Sequence, residues 1–170
     1  MSMISTSCKN AERWDSVRNM GLQRSVPFGN FLDDLALLGG LPSSDGGSEF
    51  GLIAARSNER YWLIPLKPRS SAIAGLALFQ PVSPSAAVAK AAASLAIRAG
   101  LTRIWLRNRI RLDCTTIKGD WFDQPISDVA FFTGTEGPHR KTAIEFISKD
   151  GQILGYAKLS REPHIAQFIR

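Results

Sequence analysis

Between Phe132 and Leu159 the chain collects the residue types that a phosphate group needs. Gly134 and Gly137 lie in one loop with Thr133, Thr135, Arg140 and Lys141, and Lys158 follows after two further apolar runs. Small residues let backbone N–H groups approach phosphate oxygens, hydroxyls add donors, and a lysine delivered from a neighbouring strand adds a fixed positive charge. The candidate nucleotide-binding residues are therefore Gly134, Thr135, Gly137 and Lys158, with no catalytic residue and no metal ligand assigned. A plainer alternative stays open: glycines that serve a tight hairpin, and a strand-end lysine with its head in water.

Three short antiparallel strands must position these residues. Val129–Phe132, Thr142–Ile147 and Gln152–Leu159 are apolar runs, and the turn between the last two carries Asp150-Gly151, a pair that accepts positive φ. This order resembles the start of the small lobe of protein-kinase-like phosphotransferases, the superfamily that includes aminoglycoside and choline kinases. The resemblance implies that Thr133 to Lys141 cover the phosphates of ATP bound with Mg²⁺. It also implies that Tyr156-Ala157-Lys158-Leu159 holds the lysine that pairs with the α- and β-phosphates.

The sequence departs from the family pattern at Thr135, where a further glycine is expected, and at Ala157, which directly precedes Lys158 instead of standing two residues before it. The resemblance covers roughly the last quarter of the chain. Pro163 falls where the next helix would begin, and Arg170 ends the sequence before a catalytic-loop Asp, a metal-binding Asn or a second metal-binding Asp. It implies a binding half-site that does not transfer a phosphoryl group alone. The stretches Trp62–Pro65 and Ala77–Pro81 are also similar to the region preceding the kinase-like lobe in bacterial phosphotransferases of surface-polysaccharide loci.

Composition sets the outer bounds. A length of 170 residues with 44% apolar content builds one ordinary domain or two small ones, and a net charge of +6 favours anionic partners. Cys8 and Cys114 form neither a disulfide framework nor a metal spacing, and read as reduced thiols of a cytoplasmic protein. His139 and His164 have no ligand-spaced neighbours, and no Ser, His and Asp arrangement supports acyl transfer. The first residues lack the apolar region of a secretory signal, and no apolar run approaches about 18 residues, so no membrane span is expected.

Taken in order, residues 1–48 read as a polar tail with one short helix and a linker at Pro42–Ser48. In that helix Phe31, Leu32, Leu35 and Leu38 share a face, with Asp33-Asp34 on the other side. Residues 49–118 form an α/β module: strands at Tyr61–Leu66 and Gly75–Pro81, then a helix from Pro84 to Ala99 with Ser83 as N-cap and Gly100 as stop. Val88, Ala92, Leu95 and Ala99 are the stripe expected to pack on the strands. Arg103–Leu112 alternates apolar and basic residues and predicts a further strand. Residues 119–170 hold the incomplete kinase-like strands, so the fold class is α+β: an N-terminal α/β module followed by a three-stranded meander.

A second function class competes with the first. The Arg107, Arg109 and Arg111 face beside Trp105 and the open edge of the last strand would suit a non-enzymatic module that holds a partner protein or anionic polymer. No motif of a nucleic-acid fold accompanies the arginines, so the reading disfavours nucleic acid and assigns them to solvent or to carboxylates such as Asp120 and Asp123.

Overall fold

The computed structural model describes residues 26–37, 40–43, 46–55, 60–117, 121–135 and 140–160. They form a mixed α and β structure around one antiparallel sheet of seven strands. Strand β1 (Leu41–Pro42) is only two residues long, and the others are β2 (Ser48–Ala55), β3 (Arg60–Pro65), β4 (Arg109–Asp113), β5 (Ile126–Thr133), β6 (Thr142–Ser148) and β7 (Ile153–Leu159). Their spatial order is β1-β4-β2-β3-β5-β6-β7. The meander expected from the sequence is present as β5, β6 and β7, yet it does not stand apart. Tyr61, Trp62 and Leu63 of β3 pair with Thr133, Phe132 and Phe131 of β5, which joins it to the four preceding strands.

One face of the sheet is covered by helix α1 (Val26–Leu37). Phe31, Leu32 and Leu35 recur at helical spacing and pack on Phe50, Leu63, Phe131, Ile144 and Phe146. The Phe31 ring stacks on Tyr61 with centroids 5.8 Å apart. Full burial of each such side chain contributes about 1.5–3 kcal/mol, enough to dock the helix. The expected linker at Pro42–Ser48 is tied in at both ends: Leu41 and Pro42 pair with β4 and the Ser43 N–H donates to the Arg111 carbonyl at 3.1 Å, while Ser48 pairs with Leu112 of β4.

The opposite face carries helix α2 (Arg69–Gly75), a 3-10 turn (Leu76–Leu78) and helix α3 (Pro84–Arg98). The strand expected at Gly75–Pro81 is thus helical in its first part. The preceding helix carries on into it: Ala72 and Leu76 pack on Ile64, Ala74 packs on Ala130 and Ile147, and a Cβ on Gly75 would come within 3.0 Å of Pro65 Cδ. Helix α3 starts as expected, with the Ser83 hydroxyl accepting the Ala86 N–H at 3.2 Å. It buries the other side, however. Ala93 and Ile97 pack on Ile64, Ala72 and Leu76, while Val88 and Leu95 are 70% and 69% exposed.

The strand expected from Arg103 begins only at Arg109, because Thr102–Trp105 form a helical turn, α4, closed by the Leu106 N–H on the Thr102 carbonyl at 2.9 Å. Within β4 the alternation holds: Ile110 and Leu112 enter the α1-side core while Arg111 stays exposed. Among the described residues no helix is long and apolar enough to cross a membrane.

Candidate functional site

Residues paired across antiparallel strands point to the same side of the sheet, so the register fixes which side chains meet. Trp62 pairs with Phe132, Phe132 with Ala143, and Ala143 with Lys158. These four therefore form one rung on the face that carries α2 and α3. Trp62 stacks on Phe132 at 5.1 Å and meets Phe79 edge-on at 5.0 Å, while its indole N–H donates to the Leu78 carbonyl at 3.3 Å. Lys158 ends the rung on the outermost strand and is exposed.

The foot of the glycine-bearing loop lies at this same end of the sheet. Thr133 pairs with Thr142 and Thr142 with Leu159, and the Gly134 N–H donates to the Lys141 carbonyl at 2.9 Å, one step beyond. Gly134, Thr135 and Lys158 are thereby gathered at one sheet end, with β5 and β7 about 10 Å apart across β6. Gly137 lies outside the described residues, as do His139 and His164.

Two of the loop's polar groups already have partners. The Arg60 guanidinium donates to the Thr135 hydroxyl at 2.8 Å. Arg140, a candidate phosphate ligand on charge alone, is ion-paired with Asp34 of α1, whose carboxylate also accepts from the Thr142 hydroxyl at 2.7 Å. Asp34 is buried although the sequence pattern set it with Asp33 on the outer side of the helix. Adjacent helical residues differ by about 100° in direction, so only one of the pair faces water. Lys141 remains exposed.

The sequence reading missed Glu145. It pairs with Ala130 on one side and Tyr156 on the other, one same-face step from the Lys158 rung. It is 0% exposed, and neither carboxyl oxygen has a partner with hydrogen-bond geometry. Burial pushes its pKa from an ordinary 4.5 to about 7, opposed by the nearby Tyr156 hydroxyl and by the charge of Lys90 on α3. The Tyr156 hydroxyl is within electrostatic reach without closing a well-formed bond, and its own pKa is raised by burial and by the Glu145 charge. A carboxylate interrupting the apolar run Ala143–Ile147 was the available signal.

Lys158 and Lys90 supply positive charge, the Gly134 loop foot supplies small backbone, and Phe132 and Tyr156 supply aromatic surface. Among the described residues no group of three or more His, Cys, Asp or Glu is placed to hold a metal ion. Arg109 of the basic strand is engaged with Glu49 at 3.5 Å and with the Leu106 carbonyl at 3.0 Å. Comparison with protein-family models, curated proteins and solved structures found no match.

Proposed function

We propose that the chain is the nucleotide-phosphate-binding N-terminal portion of an ATP-dependent small-molecule phosphotransferase of the aminoglycoside or choline kinase type. The observation that supports it is the shared sheet end of the Gly134–Thr135 loop foot and Lys158, reached through consecutive antiparallel strands. Transfer itself requires a metal and a group that positions the attacking hydroxyl, and the reading assigns no residue of this chain to either role, so it is a reading of binding without catalysis. ATP meets half a pocket here. A dissociation constant in the millimolar range follows, equivalent to about 4 kcal/mol.

Chemical-shift mapping with ATP tests the reading. Shifts should centre on residues 131–141 and 156–159. Lys158→Ala should abolish them, whereas Lys149→Ala, on the exposed turn at the opposite end of β6, should leave them intact. Equal responses from the two variants would sink the proposal.

A second reading is a module that adds a partner's strand to its own sheet. The terminal position of β7 favours it, since no strand among the described residues covers its outer edge. Light scattering after size exclusion separates the two: a monomer at every concentration, alone or with its co-purifying proteins, argues against the open-edge module.

A further inference from the structure

Lys90 lies on the sheet-facing stripe of α3, spaced three and seven residues from the buried Ala93 and Ile97, and its charge acts on the Glu145 carboxyl group. Lys158 stands two residues beyond Tyr156, the partner of Glu145, which makes it a diagonal neighbour at about 7–8 Å. Lys90 and Lys158 thus share a face of the sheet with one buried carboxyl group whose oxygens have no hydrogen-bond partner. Two other ionisable groups stand on the elements packed here, each with a partner of its own. Asp128 of β5 is bonded to the Ser71 hydroxyl at 2.6 Å, and Arg69, the sole ionisable residue of α2, reaches the Arg98 carbonyl at 3.4 Å.

We propose that Lys90 is a second phosphate-binding lysine beside Lys158, on the face of the sheet that buries Glu145, and that an anionic ligand taking over both ammonium groups leaves Glu145 to take up a proton from solvent. This rests on the reading that Lys158 meets nucleotide phosphate. Apolar burial around Glu145 makes its ionised form depend on the lysine charge, because an uncompensated buried carboxylate is costly. The ligand class is a polyphosphate chain carried by a nucleoside. Binding is therefore tighter in mild acid than in mild base.

The test is isothermal titration of the full chain with ATP and with tripolyphosphate, between about pH 6 and 8, in two buffers of different ionisation enthalpy. The ligands' terminal phosphates titrate in the same range, with a pKa near about 6, so the difference between wild type and Glu145→Gln isolates the carboxyl group. A one-unit rise in its pKa gives about half a proton taken up near pH 7.5 and about fivefold tighter binding at pH 6 than at pH 8. Glu145→Gln should bind both ligands without that extra uptake, and Lys90→Met should weaken both at least about fivefold. Equal uptake by wild type and Glu145→Gln overturns the proposal. Binding that is lost in Lys158→Ala but unchanged in Lys90→Met overturns it while sparing the nucleotide reading. No binding of either ligand to the wild type overturns both.

Discussion

Replacing Glu145 by Gln should make the protein more stable above neutral pH and leave its stability in mild acid nearly unchanged. In the folded chain the carboxyl group is fully buried and its pKa is about 7, against an ordinary 4.5. A folded-state pKa that is raised for an acid means that the native state holds the proton more tightly. Stability is fully present below about pH 4.5 and is lost as pH rises through about 7. The difference of 2.5 units sets an upper bound of about 3 kcal/mol. Tyr156 beside it is 57% exposed, so water reaching past that ring screens the charge and brings the figure nearer to about 1.5 kcal/mol. Urea unfolding at several pH values, followed by tryptophan fluorescence, measures it. Groups common to both proteins cancel in the difference. A gap between wild type and Glu145→Gln that stays constant from about pH 5 to pH 8 would refute the assignment of a strained ionised carboxylate to this site.

Arg140→Ala should cost about 3–5 kcal/mol by leaving the Asp34 carboxylate buried without its cation, and Asp34→Leu combined with Arg140→Met should recover most of that in the same urea assay. The orientation of α3 predicts unequal effects from two neighbouring apolar residues: Ile97→Ala should cost about 2–5 kcal/mol, whereas Leu95→Ala should stay within about 0.5 kcal/mol. Gly151→Ala should lower the melting temperature by several degrees, because its φ of 81° strains an alanine and the new Cβ would stand 2.6 Å from Ser70 Cβ.

Local chemistry determined much of this protein. The Asp150-Gly151 turn with its positive φ, the Ser83 and Pro84 start of α3 and the apolar runs of β5, β6 and β7 are each fixed by a few adjacent residues, and they stand where the sequence put them, whereas of the alternating run Arg103–Leu112 only the part from Arg109 is a strand. Tertiary packing decided what local signals leave degenerate. Val88, Ala92, Leu95 and Ala99 form as good an apolar stripe as the opposite one, but the smaller Ala93 with Ile97 lets α3 settle onto Leu76 and Ala72. Run 75–81 reads as a strand by hydropathy, but its first part continues α2 into a 3-10 turn, where Leu76 packs on Ile64 and Gly75 lies so close to Pro65 that a Cβ there would stand 3.0 Å from its ring.

For the candidate site, Gly134, Thr135 and Lys158 were legible because loop, turn and strand follow one another along the chain. Glu145, Lys90 and the Asp34–Arg140 pair were not. Lys90 is 55 residues before Glu145 in the numbering, and Asp34 lies 106 residues from Arg140, so only the sheet register and the helices laid across it bring those charges together. A charge pattern along a sequence gives each residue's sign but not its neighbour, and it is the neighbour that decides whether a carboxylate is paired, solvated or forced to hold its proton.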